Sequence, residues 1–255
     1  MVLTELQKER YDRNIKLKGI GEAGQAKLLN SSVLVIGAGG LGSAAILYLA
    51  AAGIGTLGIA DGDCVEVSNL QRQILFDLSD IGKLKADSAR GKIERINPDL
   101  KVITYPEKIT AINIEAILTG YDFILECTDD LASKFLINDA CVLKGKTFCH
   151  CGVLGLSGRM MTFLPGHACL RCAFEDPRPA SPPNSKQIGI LGATAGVLGA
   201  MQAAEAIKYL TGCGRLLTDA VLHVDLADGS SNRLSVRRNK DCPVCGNHPT
   251  ITSLL

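Results

Sequence analysis

No charged residue occurs between Lys27 and Asp61, and the strongly apolar part of that window, residues 33–60, is long enough to suggest a membrane span. Glycines decide against it. Gly37, Gly39, Gly40 and Gly42 break the run, and Gly53, Gly55 and Gly58 break it again. Three pieces fit better: a buried strand over 33–36, a glycine turn leading into a helix to about residue 52, and a second strand over 56–60. Strands that are apolar at every position belong to a parallel sheet covered on both faces. A second uncharged run, residues 187–204, carries Thr194, Gln202 and four glycines and reads as one buried helix.

The same alternation continues downstream. Residues 4–29 read as an amphipathic helical segment with a break near Gly19 and Gly21. Helices are predicted over 83–96, about 114–118 and 131–143, and strands over 102–105, 122–126 and 147–151. Strands spaced by helices of this length imply right-handed crossovers and an α/β, doubly wound, Rossmann-like sheet, parallel in its N-terminal part. After about Gly152 the pattern changes to strands over 159–164, 221–225 and 233–236, with a proline-rich loop at 176–183 between them. These are additional C-terminal strands, expected to be antiparallel.

Gly37, Gly39, Gly40 and Gly42 form G-x-G-x-x-G after a strand and before a helix, the context in which backbone N–H groups and a helix N-terminus hold phosphate. Asp61 ends the second strand, where a carboxylate can accept from ribose hydroxyls. The motif alone does not separate NAD from ATP. The polar run that follows includes Asp63, Asn69, Arg72 and Gln73, and Lys85 opens the next helix. Asp129 stands just past the FILEC strand, on the same edge of the sheet. Arg and Lys can neutralise phosphoryl charge and an Asp can hold Mg²⁺, a set that hydride transfer does not need.

Cys169-x-x-Cys172 and Cys242-x-x-Cys245 are two C-x-x-C pairs, and four thiolates make a closed, structural Zn²⁺ site. The alternative, two redox dithiols, lacks a thioredoxin-like strand pattern. Strand alternation puts Cys149 and Cys151 on one face and His150 on the other, a poor arrangement for a shared metal. Cys127 and Cys141 read as core positions.

Lys plus Arg number 27 against 26 Asp plus Glu, a formal net charge of +1. Such a balance supports neither a nucleic-acid surface nor a polybasic membrane anchor. Ten cysteines with no secretory signal at the N-terminus point to a reducing, cytoplasmic setting.

The motifs GAGGLG, SNLQRQ, INPD and CTDD and the paired CxxC together resemble the MoeB/ThiF/HesA group, bacterial relatives of ubiquitin-activating enzymes. The resemblance runs from the RYDR of residues 10–13 to Cys245. It implies an enzyme that uses MgATP to adenylate the C-terminal glycine carboxylate of a ubiquitin-like sulfur carrier ending in Gly-Gly, of the kind that serves thiamin or molybdopterin synthesis. It also implies ATP binding at Gly40, Asp61, Asp63, Asn69, Arg72, Lys85 and Asp129, with Mg²⁺ near Asp129. Arg13 corresponds to an arginine that reaches the neighbouring protomer's ATP, so a homodimer is implied. The chain is then one adenylation domain over 1–255: an N-terminal helical segment (1–30), a nucleotide-binding half (31–152) and a carrier-binding and zinc half (153–255).

Two departures follow. Some members carry a cysteine where this chain has Ser185, which speaks against a covalent carrier intermediate from that loop. No rhodanese-like segment follows Cys245, so a separate sulfur donor is expected. Activation of another carboxylate and an NAD-dependent oxidoreductase remain as alternatives, the latter leaving Arg72, Lys85 and Asp129 without a task. A non-catalytic scaffold would carry a dead nucleotide site.

Overall fold

The computed structural model describes residues 2–174 and 185–254. The N-terminal segment folds as three short helices, α1 (Glu5–Arg10), α2 (Asp12–Ile15) and α3 (Gly21–Leu29). Strand and helix then alternate: β1 (Ser32–Ile36), α4 (Gly40–Ala52), β2 (Thr56–Ala60), α5 (Lys85–Ile96), β3 (Lys101–Tyr105), α6 (Ile114–Leu118), β4 (Phe123–Glu126), α7 (Leu131–Leu143) and β5 (Phe148–Leu154). They are followed by β6 (Ser157–Phe163), α8 (Leu170–Ala173), α9 (Ser185–Ile188), α10 (Gly192–Thr211), β7 (Ala220–Asp225) and β8 (Ser230–Ser235).

All eight strands lie in one sheet of order β3-β2-β1-β4-β5-β6-β7-β8. Pairing is parallel from β3 to β5 and antiparallel from β5 to β8, as the sequence predicts. The chain builds β1, β2 and β3 outward in one direction, then crosses to lay β4 against the other side of β1. The carboxyl ends of β1 and β4 therefore diverge into a crevice, the place where open α/β sheets bind ligands.

Period-two burial sets the layers. Val33 and Val35 of β1 point into one core with Ile46, Leu49, Ile59, Ile93 and Leu198. Leu34 and Ile36 point into the opposite core with Ile114, Ile124, Ile137, Phe148 and Phe163. Both faces of β1 are thus sealed, which is why no polar residue interrupts its buried positions.

The uncharged run does not form one helix. Gly189 adopts φ +85° and separates α9 from α10, so the expected helix over 187–204 is corrected to a break followed by a longer helix ending at Thr211. No helix among the described residues is long and apolar enough to cross a membrane. The proline-rich stretch 176–183 lies outside the described residues, and Ser185 opens α9.

Candidate active site at the β1/β4 crevice

The glycine loop is shaped by two close backbone approaches. Gly37 sits at φ +96°, and a Cβ there would stand 2.7 Å from the Cys127 carbonyl oxygen at the end of β4. A Cβ on Gly42 would fall 1.9 Å from the Gly37 oxygen, so only hydrogen lets α4 start this close to its strand. Gly39 precedes α4 and no side chain caps its first turn. The N–H groups of that turn and the positive end of the helix dipole face the crevice, a ready anion site.

Charged residues close round it. Asp61 accepts from the Ala38 N–H of the loop at 2.7 Å and from the Asp63 N–H at 2.9 Å. Burial raises its carboxyl above the ordinary value, opposed by the Lys85 charge and these backbone donors. Lys85 is buried; its ammonium meets Asp63 at 3.3 Å, and its backbone N–H donates to the Asp63 carbonyl. One partner leaves most of that ammonium's donor capacity unused among the described residues. Arg72 follows a 3₁₀ turn at Val67–Asn69, where the buried Asn69 accepts from the Glu66 N–H. Its guanidinium donates to the Ser68 carbonyl at 3.0 Å and pairs with no carboxylate among the described residues. A Cβ on Gly40 would stand 3.5 Å from the Arg72 Cγ and 3.0 Å from the Ala195 Cβ of α10. The aliphatic stem of Arg72 and the start of α10 therefore flank the loop.

Asp129 lies two residues beyond Cys127, itself pressed against Gly37. Its carboxylate is exposed and makes no hydrogen bond or ion pair among the described residues. The structure thus gathers Gly37, Gly39, Gly40, Gly42, Asp61, Asp63, Asn69, Arg72, Lys85 and Asp129 along one edge of the sheet. Arg13 is not among them. It stands on α2, 89% exposed, beside Asp12. Tyr11, its near neighbour, packs against Gly53 at the far end of α4, about 20 Å of helix from the glycine loop. Arg13 cannot serve the site of its own chain from there.

Several groups at the crevice are given no role by the sequence, although Gln73 stands in the polar run it singles out. The Gln73 Oε1 and Thr194 Oγ1 are buried with no hydrogen-bond partner among the described residues, and Gln73 Nε2 would lie 3.8 Å from a Cβ on Gly39. Buried polar atoms are normally paired, so these two leave hydrogen-bonding capacity open at the crevice. Beneath the CTDD segment, buried Glu126 meets Lys134 Nζ at 3.0 Å and His150 Nδ1 at 2.6 Å. Burial alone would raise the Glu126 carboxyl, but the Lys134 charge and the His150 hydrogen bond hold it down at about 2. His150 indeed points away from Cys149 and Cys151, which are core residues of the opposite face.

The sulfur atoms of Cys169, Cys172, Cys242 and Cys245 lie within 4.8 Å of one another. The pairs 169–172, 169–242 and 172–245 are 3.9, 3.6 and 3.4 Å apart. A tetrahedron with Zn–S bonds of about 2.3 Å has edges of about 3.8 Å, so the four thiols fit Zn²⁺. All four are free thiols.

Fold and crevice together define a Rossmann-like α/β class with an uncapped helix N-terminus and charged side chains at the sheet's carboxyl edge. Comparison with known proteins makes this specific. The ThiF family model matches residues 11–244. The chain is 39% identical to the sulfur carrier protein adenylyltransferase of Thermus thermophilus, over 99% of this chain and 96% of that protein. It is 38% identical to the SAMP-activating enzyme E1 of Haloferax volcanii, over 96% and 91% respectively. The adenylyltransferase and sulfurtransferase MOCS3 of Aedes aegypti is 41% identical over 96% of this chain, which spans 57% of that longer protein. Among solved structures, E. coli MccB with ATP superposes with a TM-score of 0.82 at 22% identity, covering 95% of this chain and 75% of that one. PaaA superposes with a TM-score of 0.78 at 25% identity, covering 93% and 76%. The chain belongs to the ThiF family.

Proposed function

We propose that the protein adenylates the C-terminal glycine carboxylate of a ubiquitin-like sulfur carrier with MgATP, releasing pyrophosphate. The observation that carries this is the convergence of an uncapped helix N-terminus, a buried Lys85, and an Arg72 and an Asp129 that form no ion pair among the described residues, on one crevice. Full-length similarity to a sulfur carrier protein adenylyltransferase supplies the substrate class.

A carboxylate terminus is ionised at pH 7, so its attack on the α-phosphorus needs no general base. One C–O–P bond forms, the bond from the α-phosphorus to the bridging oxygen breaks, and pyrophosphate leaves with the electron pair. The residues have to hold the reactants in line and cancel phosphate charge. The α4 N-terminus would take phosphate oxygens, Arg72 and Lys85 would neutralise the charge that moves to pyrophosphate, and Asp61 would hold the ribose. Mg²⁺, if held by Asp129, would supply further charge neutralisation at the phosphates. The four cysteines would hold Zn²⁺ as a structural staple. We assign the protein to the cytoplasm, with sulfur delivered by a separate donor protein and all of 1–255 acting as one adenylation domain.

ATP–pyrophosphate exchange with purified protein, Mg²⁺ and candidate carriers ending in Gly-Gly tests the reading. Exchange should depend on one carrier and vanish when its terminal glycine is removed. Exchange supported equally by free amino acids, or NAD binding in place of ATP, would overturn it.

Arg13 acts in this scheme on the site of a second copy. Arg13→Ala and Arg72→Ala are each expected to be inactive alone. Mixed in equal amounts with subunit exchange, half the dimers are mixed and each regains one intact site, so about a quarter of wild-type exchange should return, as expected for an isologous pair. No recovery on mixing would remove Arg13 from the site.

A further inference from the structure

We propose that Lys134 of α7 is a positioning residue that aims Asp129 at the metal of bound nucleotide, acting through the Thr128–Asp129 peptide. The inference rests on the proposed function, in which Asp129 holds Mg²⁺.

The segment between β4 and α7 is only four residues long, and it is anchored on both sides of Asp129. Ahead of it, Thr128 is gripped on every polar atom. Its N–H and hydroxyl donate to Glu126 Oε1 at 2.7 and 2.5 Å, and its carbonyl accepts from Lys134 Nζ at 2.6 Å. Behind it, Asp130 caps α7 by accepting from the Ser133 N–H at 2.8 Å. Asp129 is the residue left between the two anchors, with a side chain that bonds to none of the described residues. Its direction is therefore set by the peptide it shares with Thr128, and the carbonyl of that peptide is the one Lys134 holds.

The anchor is itself held at several points. Lys134 Nζ contacts both Glu126 oxygens at 3.1 and 3.0 Å and the Cys151 carbonyl at 2.7 Å, which ties α7 to β4 and β5 together. Glu126 Oε2 also meets His150 Nδ1 at 2.6 Å. Lys134 and Glu126 are both buried, at 7% and 0% exposure. A buried ion pair contributes little net stability over apolar residues of the same volume, so stability alone does not account for it. Fixing the orientation of a metal ligand does, since the partners of ligands tune metal affinity.

The test is calorimetric and needs no carrier: ATP affinity of the full chain is measured in EDTA and in saturating Mg²⁺, and the ratio gives the coupling between metal and nucleotide. Asp129→Asn should abolish that coupling. The double variant Glu126→Gln/Lys134→Met keeps the volume and leaves no unpaired buried charge, so it should fold. Its coupling should fall about tenfold or more, the usual cost of losing a ligand's partner, with affinity in EDTA unchanged. Equal weakening with and without Mg²⁺ would make the pair merely structural and overturn the proposal, as would undiminished coupling in the double variant. If Asp129→Asn itself keeps wild-type coupling, Asp129 is not the metal ligand, and the functional reading of that residue fails along with the positioning role. The Asp129 variant thus separates the two failures.

Discussion

Lys85→Met is expected to lower carrier-dependent ATP–pyrophosphate exchange by about 10²–10³-fold, the loss usual when one preorganised charge is removed from a reacting centre. Lys85 is the stronger choice over Arg72 because its side chain is only 7% exposed. A charge withdrawn from water acts on a developing pyrophosphate through a lower effective dielectric, and its worth rises accordingly. It is also preplaced. The backbone N–H of Lys85 is tied to the Asp63 carbonyl at 2.9 Å and its ammonium to the Asp63 carboxylate, so the fold has already met the cost of orienting it. Most of the loss should fall on the rate of exchange and little on ATP affinity, because charge on the leaving group grows along the reaction. Lys85→Arg should not restore the rate: a planar guanidinium does not fit the space of a buried ammonium. Methionine keeps the stem, so thermal stability should change little. Exchange within threefold of wild type for Lys85→Met would show that Lys85 takes no part in the chemistry.

The sequence exposes this site well because each of its residues is tied to a local pattern. Gly37, Gly39, Gly40 and Gly42 announce a tight strand-to-helix turn, and Asp61 and Asp129 are found by counting to the ends of apolar strands. The predicted and observed boundaries agree for α6, α7 and β2 for the same reason: apolar period and turn residues fix them locally. What is invisible is what depends on strand order. That β4 lies beside β1, so that Cys127 meets Gly37 with Asp129 two residues further on, follows from the crossover after β3 and from no single motif. Glu126, Lys134 and His150 are spread over 24 residues and come from three elements. Each reads alone as an ordinary strand or helix position, and only parallel pairing of β4 with β5, Glu126 opposite His150, puts them together. Gln73 and Thr194 stand in runs the sequence singles out, but that their oxygens are buried with no partner among the described residues is a product of tertiary packing. The break at Gly189 was obscured by composition: four glycines in an apolar run do not announce which one takes a positive φ.

Removing the metal from the four-cysteine site is expected to destabilise the molecule far from the crevice. The cysteines are not a surface appendage. Cys169 and Cys242 are fully buried and pack in the same core as Ile137, Phe148 and Phe163, with Val244 beside them. They join the turn after β6 to the segment after β8, 73 residues apart in sequence. Closing a loop of that length by a metal gains more than closing a short one. The Asn239 N–H donates to the Cys172 sulfur at 3.4 Å, and the chain turns back through a Gly246 N–H to Cys242 carbonyl bond, so the second pair is held in place for the metal. With four cysteines as ligands no coordination position stays open, and the ion has no route to the chemistry. Cys242→Ser should therefore lower the melting temperature by about 10 °C or more, the shift that a loss of about 3–5 kcal/mol produces in a domain of this size. Hydrogen exchange should rise first over residues 236–254 and in the packed ends of β5 and β6. The intact protein should carry one Zn²⁺ per chain by mass spectrometry under native conditions, released by thiol modification. Exchange activity per folded molecule should survive the substitution at temperatures well below the new midpoint, which sets this site apart from Lys85. A protein holding two disulfides and no zinc, or a Cys242→Ser variant that melts like wild type, would reject a structural metal. A variant that folds as well as wild type yet loses exchange would instead connect the cysteines to the reaction.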